Sequence, residues 1–167
     1  MSHPYRKRVK RMSIFTDVKD LAEGKSQSKE WYRSQLQYGL EPYEGTFEVG
    51  DIIFFAYSAA TEKLRFYDRF PMVKISDKDD PNMQFSGGNL HYLRPSARKT
   101  IASQWSVGSP AYPARCHHKY FMSNATNIYT VKPIDLQDMT PLPIEQFLFN
   151  AAGRWIEVPS SHIWSRV

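Results

Sequence analysis

The sequence is poor in the features that define several classes of protein. It contains one cysteine in 167 residues, Cys116, so an internal disulfide framework is excluded. Its longest uninterrupted apolar run is about six residues, whereas a membrane-spanning helix needs roughly 20. There is no internal repeat, no Gly-rich phosphate loop and no charged-then-apolar leader at the start. We therefore expect a soluble protein that is made in the cytoplasm and does not enter a membrane.

Acidic residues are absent from the first eleven positions, and these positions carry the whole net charge. The chain has 22 Lys and Arg against 17 Asp and Glu, a net charge of +5. Five of the basic residues lie in this short stretch: Arg6, Lys7, Arg8, Lys10 and Arg11. We expect residues 1–25 to form a basic arm that precedes one domain at 26–167. Such an arm is suited to nucleic acid or to an acidic protein surface; the alternative is a solvated terminus, or one ordered by a partner.

Aromatic and apolar residues are plentiful in the rest of the chain. Hydrophobic residues make up 41% of the sequence and aromatic residues 14%, which is typical of a folded domain and not of a disordered one. Residues 50–93 combine short apolar runs with turn residues, the pattern of a small, strongly curved β-sheet. The run from Ile52 to Phe55 lacks polar alternation, so both of its faces should be covered.

The predicted fold class is β-rich α+β, with a small SH3-like β-barrel from about residue 46 to 132 flanked by N-terminal and C-terminal helices. Ser28 and Gly39 delimit the first helix, and Pro95 begins the second. The predicted helices are residues 29–38, 96–103 and 143–152. The predicted strands and extended segments are 52–57, 64–66, 72–75, 90–93 and 127–134. The predicted turns and loops are 58–63, 76–82, 87–88 and 106–118.

The third predicted helix has the clearest periodicity. Its apolar residues recur at spacings of three and four, and Gly153 follows its end: Ile144, Phe147, Leu148 and Ala151. Beyond it, Trp155 and Trp164 lie close to the end of the chain. Large aromatic residues so placed are expected to dock the terminus onto its own domain or onto a neighbour.

The segment around Asp68 and Arg69 holds the most suggestive charged pair. An aspartate and an arginine between aromatic residues are compatible with phosphate binding or acid–base work, but also with an ion pair or turn that fixes a sheet corner. We favour the structural role, and we expect His91 to be a packed, hydrogen-bonded histidine. The predicted structural residues are Tyr67, Asp68, Arg69, Pro71, Asn89, His91 and Tyr92.

The triplet Cys116, His117 and His118 has the residue types of a metal site or of a nucleophile with its base. However, neighbouring side chains on a strand point to opposite faces, and a second ligand pair with usable spacing is missing. Nothing around Cys116 is recognisable as an oxyanion hole. We therefore expect no metal, no cofactor and no catalytic residue, and a structural or incidental thiol.

Six short elements, in order, resemble a family of small proteins of contractile-tailed bacteriophages, the myoviruses. They cover most of residues 28–165: Trp31, Phe54 to Tyr57, Tyr67 to Met72, Gly88 to Pro95, Leu142 to Phe147, and Ile163-Trp164. Ser86-Gly87-Gly88 and a short segment at 104–120 depart from the family pattern. The resemblance implies a late structural or morphogenesis protein of the virion, made in the host cytoplasm, in the tail, baseplate or neck.

A second resemblance is to the MazF/PemK toxin ribonucleases, which are SH3-like barrels. Gly50-Asp51-Ile52 and the segment from Arg69 to Val73 are similar to that family's first strand and arginine-proline element. Its later serine- or threonine-containing catalytic strand has no counterpart. We interpret this as shared barrel architecture, because fold does not determine function.

These observations predict a non-enzymatic virion assembly protein that joins neighbouring subunits through its terminal arms. The predicted partner-binding residues are Arg6, Lys7, Arg8, Lys10, Arg11, Trp155 and Trp164. One alternative is a nucleic-acid-binding protein that protects or packages DNA ends, using the arm and exposed aromatic residues such as Tyr43, Tyr57 and Tyr112 for stacking. Another is a MazF-like ribonuclease, which requires Arg69 and His91 to meet in one cleft.

Overall fold

The computed structural model describes residues 28–39, 47–59, 64–104, 113–151 and 153–165. The helices in these ranges are α1 (Lys29–Gly39), α2 (Pro95–Gln104), α3 (Leu136–Met139) and α4 (Ser160–Trp164). The strands are β1 (Ile52–Tyr57), β2 (Tyr67–Asp68), β3 (Met72–Asp79), β4 (Gln84–Asn89), β5 (His117–Phe121), β6 (Ala125–Val131), β7 (Phe147–Ala151) and β8 (Arg154–Val158). Short 3₁₀ turns occur at Leu90–Tyr92, Ala114–Cys116, Met122–Asn124 and Pro133–Asp135. The predicted basic arm lies outside the described residues.

The strands form two antiparallel sheets. The larger has the order β5-β4-β3-β1-β6, and the smaller has the order β2-β7-β8. The β-rich α+β class is therefore confirmed. The closed barrel is not, because β5 and β6 lie at opposite edges of the larger sheet and do not pair with each other. Within the described residues the larger sheet is open.

The two sheets meet along the short segment that links β2 to β3. On one side, β1 donates to this segment from Tyr57 N to Arg69 O at 2.9 Å and from Phe55 N to Pro71 O at 3.3 Å. On the other side, Arg69 N donates to Gln146 O at 2.8 Å, just before β7. One run of backbone therefore holds the larger sheet to the smaller one.

Two hydrophobic clusters cover opposite faces of β1. Ile52 and Phe54 belong to a cluster that also contains Leu36 of α1, and Ile53 and Phe55 belong to a second cluster. All four side chains of this run are buried, which confirms that both of its faces are covered. The second cluster is rich in edge-to-face aromatic pairs, such as Phe55 with Tyr120 at 5.4 Å between ring centroids.

The first two predicted helices are confirmed within a residue or two. Ser28 Oγ accepts from Trp31 N at 3.1 Å and caps α1, as the serine before the helix predicts. Helix α2 begins at Pro95, whose fixed φ suits the first turn. The predicted strand at 127–134 is β6, which begins and ends earlier, at Ala125 and Val131.

The predicted helix at 143–152 is wrong. Residues Phe147–Ala151 form β7, the central strand of the smaller sheet, which pairs with β2 on one side and β8 on the other. A central strand has apolar residues on both faces, and such a short run cannot be told from a buried helix by periodicity. The partners that decide the outcome are far away in the sequence.

The interpretation of the segment around residue 90 is also corrected. Leu90–Tyr92 form a 3₁₀ turn and not a strand, because Asn89 Oδ1 accepts from His91 N and caps the turn. Gly87 and Gly88 lie inside β4 and do not form a positive-φ corner. Gly87 is required for a close approach: a Cβ there would lie 2.0 Å from Lys74 O on β3.

Two loop predictions and one prediction of an extended segment change as well. The expected loop at 76–82 is largely strand, since β3 extends to Asp79 and only a tight turn follows. The expected loop at 106–118 lies partly outside the described residues, and its end contains the 3₁₀ turn Ala114–Cys116 and the start of β5. At 64–66 the chain bends instead of extending, and pairing begins only at Tyr67. The predicted turn at 58–63 is described only at Ser58 and Ala59.

Candidate functional site

The Asp68 carboxylate is the centre of a buried group of polar side chains. Its Oδ1 accepts from Phe70 N at 3.0 Å and from Gln146 N at 3.3 Å. Its Oδ2 accepts from Asn89 Nδ2 at 3.0 Å and contacts His91 Nδ1 at 2.7 Å. Four donors from separate elements therefore converge on one carboxylate, which ties β2, β4 and the start of β7 together. We call Asp68, Asn89, His91, Arg98 and Glu145 the polar cluster.

Arg98 and Glu145 extend the polar cluster toward the helices. Arg98 Nε donates to Leu90 O at 3.0 Å and to Leu93 O at 2.8 Å, so it satisfies carbonyls of the 3₁₀ turn. Its Nη2 lies 3.6 Å from Glu145 Oε1. Burial raises the pKa of Glu145, but the charges of His91 and Arg98 outweigh that effect and hold the pKa at about 2. Glu145 is therefore an anion in the folded protein at neutral pH.

Sequence reasoning missed Arg98, Glu145 and Arg33 as members of the interior. All three are buried charged residues. Arg33 Nη1 donates to Ile144 O at 3.0 Å, and its guanidinium lies 4.5 Å from the Phe70 ring centroid. Nothing in the local sequence of α2 distinguishes Arg98 from an exposed helical arginine. Glu145 lies within the segment from Leu142 to Phe147 that resembles the bacteriophage family, and this resemblance was the only indication in the sequence that it matters.

The polar cluster has part of the geometry of a catalytic pair, since a carboxylate orients an imidazole. His91 is 0% exposed, however, and it lines neither of the two cavities described below. Arg69, which directly follows β2, is exposed, lines the larger of these cavities and makes no ion pair with Asp68. The structure therefore does not bring Arg69 and His91 into one cleft.

The remaining predicted structural residues surround the polar cluster. Tyr67 OH donates to Tyr57 O, and Tyr92 OH donates to Phe66 O at 3.4 Å. Burial raises the pKa of both phenols, so each stays protonated at neutral pH. Pro71 is buried immediately before β3, where its carbonyl accepts from Phe55.

Cys116, His117 and His118 do not converge. Cys116 is buried, and burial raises the pKa of its thiol to about 11, so it is protonated and inert at neutral pH. His117 is exposed, while His118 packs with its ring centroid 4.7 Å from that of Tyr92. Burial lowers the pKa of His118 and favours its neutral form. In the part of the chain that the structure describes, no group of three or more His, Cys, Asp and Glu residues could hold a metal ion.

An open cavity of about 570 Å³ lies where the two sheets meet. Residues of five strands line it: β1, β2, β6, β7 and β8. We call this surface the concave face, and it consists of Ala56, Tyr67, Arg69, Thr126, Leu148 and Trp155. A smaller cavity of about 240 Å³ lies on the other side of Tyr57 and Tyr67 and is lined mainly by aromatic residues.

The two predicted tryptophans have different surroundings. Trp155 on β8 is 51% exposed, and its ring meets Tyr67 edge-on at 5.5 Å between centroids. Trp164 is partly buried on α4, with the Arg94 guanidinium 6.0 Å from its ring centroid. Trp155 therefore presents the larger free surface. The predicted contacts in the basic arm, together with Tyr43 and Tyr112, lie outside the described residues. Tyr57, which was expected to be exposed, is buried.

No protein-family model, curated protein or solved structure matches the chain. In the described ranges, none of the helices is both long and apolar enough to cross a membrane.

Proposed function

We propose that this protein is a structural or assembly component of a contractile-tailed bacteriophage virion, in the tail, baseplate or neck, and that it is not an enzyme. The biological setting rests on the sequence resemblance over residues 28–165. The observation that carries the assembly role is strand β8, at the edge of the smaller sheet. Four of its five residues are exposed, and these include Trp155 and Ile156, the latter 50% exposed.

An exposed edge strand with large apolar side chains is a hazard for a protein that works alone. Its free backbone groups can pair with another chain, and monomeric proteins usually protect such edges with charge, proline or a covering segment. Strand β8 has two exposed charged residues, Arg154 and Glu157, but it also presents a tryptophan and an isoleucine on opposite faces of the strand. A neighbouring subunit that adds a strand to β8 would cover both side chains and pair the edge. The terminal arms would reach further neighbours, as the sequence predicts.

The first test is quantitative mass spectrometry of purified particles of a phage that encodes this chain. The expected result is stoichiometric copies per particle relative to the major capsid protein. Absence from particles, combined with expression in infected cells, would overturn the virion assignment.

A pair of variants tests the role of β8 itself. Ile156→Lys should fold but fail to enter particles when it replaces the wild-type chain. Ile134→Lys is the matched control, because Ile134 is 71% exposed and lies in a 3₁₀ turn outside the smaller sheet. Equal incorporation of both variants would contradict the proposed contact.

A further inference from the structure

The concave face is built from residues that are distant in sequence and adjacent across the sheets. Ala56 on β1 pairs with Thr126 on β6, and Tyr67 on β2 pairs with Leu148 on β7. Trp155 lies on β8, one strand beyond Leu148. The floor of the cavity therefore contains Ala56, Thr126, Tyr67 and Leu148, and it ends at the indole ring of Trp155. Its volume falls within the range of ordinary ligand sites.

Arg69 is the one charged side chain among the described residues that line the cavity; Glu157, the cross-strand partner of Leu148, does not line it. Arg69 is exposed there, and none of the described residues that line the cavity is acidic. Among the ion pairs of the described residues, none involves Arg69. A guanidinium that has no carboxylate partner among the described residues, beside a cavity, is suited to a phosphate or carboxylate group of a ligand.

The aromatic contribution comes from Trp155. The Trp155 ring packs edge-on against Tyr67, and a hydrogen bond from Tyr67 OH to Tyr57 O holds that tyrosine in place. About half of the tryptophan surface stays open, and a flat ligand group can stack on it. The hydroxyl and amide side chains of Ser58, Ser123 and Asn124 line the same cavity and supply donors and acceptors.

We propose that the concave face binds single-stranded nucleic acid, with a phosphate on Arg69 and a base stacked on Trp155. A cationic groove with an open aromatic side chain is the usual arrangement for binding single strands without sequence preference. A polyanion also fits the net charge of +5, which is concentrated in the first eleven residues. An acidic peptide would use Arg69, but Asp and Glu side chains offer no flat ring to stack on Trp155. This proposal does not depend on the virion assignment.

The test measures the fluorescence anisotropy of a labelled 12-nucleotide oligo(dT) titrated with the full chain at low and moderate salt. The variants are Arg69→Gln and Trp155→Ala, and the control is Lys99→Gln, which removes one exposed charge from α2. Trp155→Ala should weaken binding by about ten-fold or more. Arg69→Gln should weaken it and reduce the slope of log affinity against log salt by roughly 0.7, whereas Lys99→Gln should change neither.

Three results would overturn the proposal. The first is the absence of oligo(dT) binding at low salt. The second is an equal loss for Arg69→Gln and Lys99→Gln, which would indicate diffuse attraction to any positive charge. The third is equal affinity for a duplex of the same length. Ile156→Lys should retain oligo(dT) binding, so failure of the β8 contact and failure of this site are separable.

Discussion

At the scale of single residues, the Asp68 carboxylate has the largest predicted effect. Asp68→Ala leaves Asn89, His91 and two backbone N–H groups without their acceptor inside the protein. Removing one member of a buried charged group typically costs about 3–5 kcal/mol. We expect a loss of this size in the free energy of unfolding, measured by urea titration. Asp77→Ala, at an exposed position on β3, should change it by no more than about 0.5 kcal/mol.

The lowered pKa of Glu145 makes the stability of the folded protein depend on pH. Its pKa is about 2 in the folded protein against an ordinary value of 4.5, so the unfolded chain binds the proton more readily. The contribution of Glu145 is therefore complete above about pH 4.5 and is lost as the pH falls toward 2. Its size is on the order of 3 kcal/mol. Urea unfolding should find Glu145→Gln less stable than wild type at pH 6, with the gap closing near pH 2; a constant gap would contradict this.

Position 87 has no room for a side chain larger than that of glycine. Gly87→Ala places a Cβ against Lys74 O and Val73 Cγ1, at 2.0 and 2.6 Å, so the β3–β4 pair must separate locally. We expect a cost of about 1–3 kcal/mol or more, as for other overpacked sites. The comparison is Gly153→Ala, where φ is +77° and no atom lies within 4 Å of the new Cβ. Its cost should be about 1 kcal/mol, from backbone conformation alone. Thermal unfolding of the two variants should give that order.

At the scale of elements, β7 is the segment that the sequence pattern wrongly predicted to be a helix, and its central position in the smaller sheet can be tested. Phe147 is fully buried and meets Tyr92 edge-on at 5.1 Å between ring centroids. Phe147→Ala should lower the free energy of unfolding by about 3–5 kcal/mol. Trp155→Ala, on the exposed neighbouring strand, should lower it by much less, because half of that side chain is already in solvent. Similar losses for the two variants in chemical denaturation would argue against the central position of β7.

The sequence predicted the elements that are determined by local signals and not those that are determined by distant strand pairing. Helices α1 and α2 and strand β1 were predictable, because caps and a continuous apolar run are local signals. Strand β7 was not, because its identity is decided by pairing with β2 and β8, which no local pattern encodes. The polar cluster was half predictable: Asp68 and His91 stood out among aromatic residues, while Arg98 looked like any helical arginine. The concave face was invisible, since its members come from five separate strands.

At the scale of the whole molecule, the structure predicts where the chain can be shortened. The hydrophobic clusters of the described residues begin at Trp31 and Leu36 on α1. We therefore expect that deletion of residues 1–25 leaves the midpoint of thermal unfolding nearly unchanged. A large drop in differential scanning calorimetry would show that the basic arm belongs to the domain instead of preceding it.

The pairing of β2 with β7 has a consequence for biosynthesis. Gln146 N, which donates to the Asp68 carboxylate, is translated 78 residues after Asp68, and β7 follows it. Until β7 has left the ribosome, Tyr67 and Tyr92 lack Leu148 and Phe147, which lie beside them in the folded domain. Folding of this domain therefore waits for β7, and a nascent chain that stalls beyond β6 exposes an aromatic surface suited to capture by chaperones.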